Sequence, residues 1–461
     1  MKQKKSIIQQ TIRISIKEGV FSQIFKTIAG PESIFITKFA IILGATPFHF
    51  AILSAIGHLS QVFRPLGVVI SNKLHSRKST VLRIVGLGRI LAVFFGMLPF
   101  FLLGKYTIEA FLILFFVSNS IQAVGSNAWI AWIADLIPLK IRGRFFSWRV
   151  QYSMFFGLII GYVISIFLDL FKTDPGNIAQ NLQTVLESTR ILSQINILIA
   201  FAGIFIFAAF MGIWSLKILS KQHERPRDIE TEKFKDILIT PLKDKNFRKV
   251  LLYGFWWMLT LGIGAPFWVP FMMTKLGMTL VQVQIYFTIR IMATLLTLPT
   301  WGRMIDRFGN KTSMRVVILL GGITPLLWLF ASKTMYWFIF LEAIGSGIAW
   351  AGSEIISRNF ILAIAPPNRR QIYSGVFGAF SGVAIMITML LSGIFIPSSA
   401  VEIFKFHLEP EQILFGITGI ARWTTQFSLG WINEPKSKSL REVTFELLGW
   451  EIPEFLKKKT K

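Results

Sequence analysis

The chain has 461 residues, of which 53% are hydrophobic and only 16% charged, and its mean hydropathy is +0.58. That balance excludes an ordinary soluble multidomain protein, in which about a quarter of the residues are charged. A net charge of +25 would suit nucleic acid, but the basic residues lie in alternate joints between apolar runs, which argues against that partner, and zero cysteines exclude disulfides and thiol chemistry.

The N-terminus, "MKQKKSIIQQTIRISIKEG", is basic but lacks a continuous apolar core followed by small residues. It does not read as a cleavable signal, so the first spanning helix itself would direct insertion. Apolar windows of about 20 residues, the length that crosses a hydrocarbon core as helix, then recur along the chain. They lie near 18–44, 48–71, 80–103, 108–134, 145–170, 190–217, 249–274, 279–300, 313–331, 335–363, 371–396 and 412–432. The expectation is an all-α membrane protein with twelve transmembrane helices.

The first and last segments are the least regular. Segment one carries Lys26, Glu32 and Lys38 around a Gly30-Pro31 break. Either the helix is broken there and exposes backbone to a cavity, or the span starts nearer Ser33 and Lys26 sits in an interfacial helix. Segment twelve carries Arg422; Arg89 and Arg290 are further intramembrane candidates, Arg290 without a partner that the sequence identifies.

Basic residues gather in alternate joints: Lys2–Lys17, Lys73–Arg83, Lys140–Arg144, Lys217–Lys249, Arg303–Lys311, Arg369–Arg370 and Lys457–Lys461. The intervening joints carry almost none. This positive-inside asymmetry puts both termini in the cytoplasm. The longest such joint divides the chain into residues 1–217, a linker at 218–248, residues 249–433 and a tail at 434–461. Within the linker, "ILITPLKDKNFRKV" is amphipathic and reads equally as a surface helix against anionic lipid or as part of a solvated tether.

The two halves repeat. "ADLIPLKIRGRFFSWR" (134–149) follows segment four and "LAIAPPNRRQIYSGVF" (362–377) follows segment ten, each with a proline four residues before an arginine (Pro138/Arg142, Pro366/Arg370). "FRPLGVVISNKLHSRK" (63–78) and "LPTWGRMIDRFGNK" (298–311) correspond after segments two and eight. Two matches in the same order indicate an internal duplication.

"GRMIDRFGNK" (302–311) resembles the signature loop of the major facilitator superfamily, at the position between the second and third helices of a half. The resemblance implies two pseudo-symmetric six-helix bundles that rock around a central site, a small-molecule substrate and no cofactor. It also implies that Gly302, Arg303, Asp306, Arg307 and Gly309 form a cytoplasmic gate, with Asp306 aimed at Arg142, Arg144 and the start of helix five or at Arg369 and Arg370. The sister loop aligns Ser71 with Asp306 and has no carboxylate, so a lopsided gate is expected. Helix five has Gly157 and Gly161 but no following proline, unlike the drug–proton antiporters of that family; "GAFSG" (378–382) repeats the spacing, and close helix packing is expected of both.

In that family helices one, four, seven and ten line the cavity. On helix ten, Glu342, Ser346, Trp350, Ser353 and Ser357 fall within about 80° of one another, with Glu354 and Arg358 beside them at i, i+4. Glu342 lies near the outer end of the segment, and Glu354, being deeper, is the favoured carboxylate for proton or substrate coupling. Asn119 and Gln122 on helix four, Trp257 and Thr260 on helix seven and Glu32 on helix one complete the candidate set. Interhelical hydrogen bonds explain such residues as readily as ligand binding does.

The sequence therefore reads as a monomeric secondary active transporter of a small solute, with membrane lipid and protons as partners, in a bacterial cytoplasmic membrane. Its rivals are an uncoupled receptor or a lipid-translocating protein on the same fold, and a membrane-embedded enzyme. The five histidines lack metal-ligand spacing and no P-loop or nucleophile elbow appears, which argues against enzymes and primary pumps.

Overall fold

The computed structural model describes residues 2–64, 66–102, 104, 106–171, 196–224, 234–366, 369–403, 406–434 and 437. Three stretches assigned from sequence lie outside the described residues: the start of segment six at 190–195, the linker middle at 225–233 and most of the tail at 438–461.

Helices fill the chain up to the linker: α1 Lys2–Ala29, α2 Ile34–Ile42, α3 Pro47–Leu59, α4 Leu66–Lys73, α5 Arg77–Thr80, α6 Gly86–Leu91, α7 Leu98–Phe101, α8 Thr107–Leu136, α9 Leu139–Asp169 and α10 Ile197–Leu219. After it come α11 Phe234–Lys243, α12 Lys245–Gly262, α13 Trp268–Thr274, α14 Leu280–Phe308, α15 Asn310–Leu326, α16 Phe338–Ile364, α17 Arg370–Phe395, the strands β1 Val401–Ile403 and β2 Phe406–Leu408, and α18 Pro410–Gly430.

Seven of these helices are long and apolar enough to cross a membrane: α8, α9, α10, α14, α15, α16 and α17. The other expected segments are interrupted or more polar. Gly30-Pro31 separates α1 from α2, and the Ser33 hydroxyl bridges the break by donating to the Thr27 and Ile28 carbonyls at 2.7 and 2.8 Å. Segment three contains a π turn at Val81–Val85 and a 3₁₀ turn at Ala92–Phe94; segment seven breaks between α12 and α13 at "GIGAPF". Such a chain is an integral multi-pass membrane protein.

Two compact units divide it: Met1–Glu230 with Pro266–Gln284, and Thr231–Ala265 with Ile285–Lys461. In the first, α1 lies against α9 and α10, α8 lies against the α3–α6 segments, and α13 packs on α2. The core is aromatic: Phe39 sits with its ring centroid 5.2 Å from those of Phe111, Phe201 and Phe205, and all four are fully buried. Asp169, at the end of α9, accepts from the Leu280 and Val281 N–H groups at 2.8 and 2.9 Å. A carboxylate there answers the unpaired donors and the positive end of α14.

Close packing holds at Gly157 and Gly161, where an added Cβ would stand 3.0 Å from Gln23 and 3.1 Å from Gln284. It does not hold at Gly378 and Gly382, which have nothing within 4 Å. The repeat of spacing is therefore not a repeat of contact.

In the second unit α12 lies against α17 and α18, and α15 against α16 and α18. Asp244 starts α12 by accepting from the Asn246 and Phe247 N–H groups at 2.8 and 3.2 Å. The amphipathic end of the linker is α11, which packs on α12 and α17.

Truncating Phe39 to alanine should cost about 3–5 kcal/mol, because three rings close on it. Phe427→Ala, at a 74% exposed position, should stay within about 0.5 kcal/mol. Thermal unfolding of the detergent-solubilised protein measures both; equal shifts would contradict the packing described.

Candidate functional site

The stretch Trp301–Phe308 is the last part of α14 and helical throughout. The chain turns only at Gly309, whose φ of 87° lies in the left-handed region that favours glycine, and α15 begins directly after it. The first N–H groups of α15 face Glu434: Asn310 N at 3.2 Å, its side-chain amide at 2.8 Å and Lys311 N at 2.6 Å. Lys311 Nζ donates to the Gly430 and Ile432 carbonyls at 2.8 and 2.7 Å. The carboxylate that holds this helix start thus comes from the chain beyond α18.

Asp306 is exposed and bonds to no described residue. Gly302 lies within α14 with nothing within 4 Å. Arg303 is exposed and donates to Thr300 Oγ1 at 3.3 Å, and Arg307 lies 5.2 Å over the Phe308 ring. Arg142 donates to the Ile137 carbonyl at 3.3 Å, while Arg144, Arg369 and Arg370 are exposed.

The sister joint has the same clamp. Glu224 accepts from Ser76 Oγ and Arg77 N, both at 2.6 Å, and from Lys78 N at 3.1 Å. Lys78 Nζ reaches the Gln222 carbonyl at 3.0 Å, two residues before Glu224, as Lys311 reaches Ile432 two residues before Glu434. Arg77 also pairs with Asp135. Ser71 is buried and its hydroxyl finds no partner among the described residues. Sequence reading missed both glutamates, although "HERP" (223–226) and "NEPK" (433–436) recur after the sixth segment of each half.

Inside the second unit, Glu342 is the buried carboxylate and Glu354 the exposed one, the reverse of the order expected from depth along the segment. α16 begins at Phe338 against the 3₁₀ turn Leu327–Phe330, so Glu342 is already covered one turn in. Tyr286 on α14 donates to Glu342 at 2.8 Å, and the charges of Arg290 and Arg422 bear on it. Arg422 donates to the Gly321 carbonyl at 2.8 Å; Arg290 lies 5.7 Å over Trp350. Glu354 pairs with Arg358 at the surface of α16. Trp257 and Thr260 are buried on α12, the Thr260 hydroxyl being used by the Trp257 carbonyl at 2.8 Å.

Inside the first unit, Asn119 and Gln122 turn back on α8, to the Phe115 carbonyl at 2.8 Å and Ser118 Oγ at 3.3 Å. Glu32 is exposed beyond the break in helix one. The structure gathers other residues instead. Arg149 pairs with Glu18 at 2.8 Å and stacks 4.3 Å over Trp129. Fully buried Arg89 donates to the Gly212 carbonyl at 2.6 Å, to Ser22 Oγ at 2.7 Å and to Ser215.

The two arginines that reach a glycine carbonyl, Arg89 and Arg422, are reciprocal. Gly212 stands twelve residues before Glu224, and Arg422 twelve before Glu434. Arg89 follows Lys78 by eleven and Gly321 follows Lys311 by ten, a difference of one that matches the π turn at Val81–Val85. One half carries arginine on its third segment and glycine on its sixth; the other half swaps them.

Residues 250–420 match the sequence profile of the Major Facilitator Superfamily. No curated protein sequence matches significantly. Among solved structures, the nucleoside transporter NupG superposes with a TM-score of 0.61 at 12% identity, over 92% of this chain and 98% of that one. The D-xylose-proton symporter gives 0.64 at 15% identity, over 93% and 98%. A bacterial homologue of the iron transporter ferroportin, in an inward-facing state, gives 0.63 at 13%, over 93% and 99%. At identities this low the likeness is one of fold alone.

Glu434→Ala and Glu224→Ala should each cost about 1.5–3 kcal/mol, since a carboxylate bonded to several N–H groups is removed. Asp306→Ala should be near neutral. A melting series that ranks Asp306 above the two glutamates would refute the assignment of the clamps.

Proposed function

Because this chain has the Major Facilitator Superfamily fold, we propose that it is a secondary active transporter, not an enzyme, moving a small solute by alternating access and coupling that movement to protons at Glu342. The observation that carries the reading is the buried Tyr286–Glu342 pair with Arg290 and Arg422 beside it. A carboxylate inside a membrane bundle is costly unless it is partnered, and such residues mark ion and proton pathways. Protonation of Glu342 would release Arg290 and Arg422 from its charge and change what the second unit can hold. That the D-xylose-proton symporter shares the fold is in keeping with a gradient-driven role. Basic joints on one side of the chain support a cytoplasmic location for both termini and insertion in a bacterial cytoplasmic membrane.

The gate is proposed at Gly302–Gly309 with Arg142, Arg144, Arg369 and Arg370. Asp306 is exposed, which leaves its carboxylate accessible.

Purified protein in liposomes should take up or exchange at least one solute from a broad panel, with net movement increased by a pH gradient. Glu342→Gln should lower gradient-driven movement at least about tenfold while solute exchange at equal pH persists. If folded protein moves nothing under either condition, the transporter reading fails; if E342Q is driven normally, the coupling assignment fails.

Asp306→Asn should raise cytoplasmic accessibility of single cysteines introduced into this cysteine-free chain, whereas Ser71→Ala should change it little. Equal changes in labelling rate would remove Asp306 from the gate.

A further inference from the structure

Around the second half of α1, cations outnumber carboxylates among the described residues. α1 presents Glu18, Ser22 and Lys26 at successive i, i+4 positions, hence along one face. Each of the first two rungs holds an arginine: Glu18 pairs with Arg149 at 2.8 Å, and Ser22 accepts from Arg89 at 2.7 Å. The third rung, Lys26, makes no hydrogen bond or ion pair with any described residue, although Arg89, Arg149, Glu18 and Arg64 surround it closely enough for their charges to act on it.

Lys26 stands among protein charges. Its helix neighbours Phe25, Ile28 and Ala29 are buried, and protein charges flank it, yet its own side chain is exposed. The next i+4 position is Gly30, just past the end of α1, which carries no side chain. The Lys26 side chain is therefore accessible while protein charges flank it. Of the surrounding cations, Arg149 alone has a carboxylate partner. Arg89 is held by neutral oxygens, and Arg64 has no side-chain bond among the described residues. In the second unit, likewise, Arg290 and Arg422 outnumber Glu342. Uncompensated cations in a membrane interior are costly, and a negative ligand removes that cost.

We propose that the solute is a small organic anion bearing a carboxylate or phosphate group, and that Lys26 is the residue of the first unit that binds it. The proposal rests on the transporter reading for its biological sense but is tested by binding alone. Protein in neutral detergent is melted with citrate, glucose 6-phosphate, glucose, choline and short-chain phosphatidylglycerol. Citrate or glucose 6-phosphate should raise the melting temperature of the wild type, and glucose and choline should not.

Lys26→Gln should weaken anion binding at least about tenfold, and Lys26→Arg should keep it within about threefold. Removing an unpaired charge should leave the ligand-free melting transition of K26Q cooperative, which separates lost binding from lost folding. Equal stabilisation by glucose, unchanged anion binding by K26Q, a response to phosphatidylglycerol only, or no response to either anion would each overturn the proposal. Anion binding lost in K26Q, in a protein that moves no solute in liposomes, would uphold the anion site and defeat the transporter reading. Uptake confined to neutral solutes would do the opposite.

Discussion

A hydrocarbon interior offers no partner to a charge, so every charged group that enters a bundle must be held by that bundle or face an aqueous space within it. Much of this structure answers that constraint. Arg89 spends its donors on a glycine carbonyl and two serine hydroxyls, Arg422 on a glycine carbonyl, and Arg149 on Glu18 and the face of Trp129. Function is assigned to Lys26 in one unit and to Glu342 in the other, the first without a hydrogen-bond or ion-pair partner for its side chain among the described residues and the second with more cations than one carboxylate balances.

The same constraint accounts for what the duplication kept and what it exchanged. Both halves kept a glutamate after the sixth segment that caps the third, together with a lysine that reaches the carbonyl two residues before that glutamate. A helix start near the membrane surface needs acceptors for its free N–H groups wherever it stands, and a carboxylate supplies two oxygens. The arginine that reaches a glycine carbonyl, in contrast, changed sides between the halves. What had to be preserved was one guanidinium facing one glycine carbonyl across the pair, and either helix can carry either member. Glycine is required on the receiving side at Gly212, where a Cβ would lie 2.9 Å from both Arg89 and Phe25.

The aromatic cluster around Phe39 supplies shape more than hydrophobic drive, since lipid is as apolar as phenylalanine. Ring contacts at 5.2 Å, edge-to-face with Phe111 and Phe205 and tilted with Phe201, fix how α2 meets α8 and α10. Ser33 serves the same end by satisfying two carbonyls that the break at Gly30-Pro31 leaves free.

Class and duplication were legible in the sequence because they are one-dimensional: apolar windows of about 20 residues and two matched pairs of loops. The break in helix one was legible too, since Gly30-Pro31 interrupts the backbone ladder locally. Burial and long-range pairing were not. Glu342 and Glu354 are twelve positions apart on one helix, and only the packing of α14 and the Leu327–Phe330 turn decides that the first is buried and the second exposed. Asp306 is the carboxylate within the joint, but helix starts accept a partner from any distance along the chain, and here it came from Glu434, more than a hundred residues on. Periodicity tells which side chains share a face; which neighbour that face meets depends on how the helices cross, and that was set by tertiary structure alone.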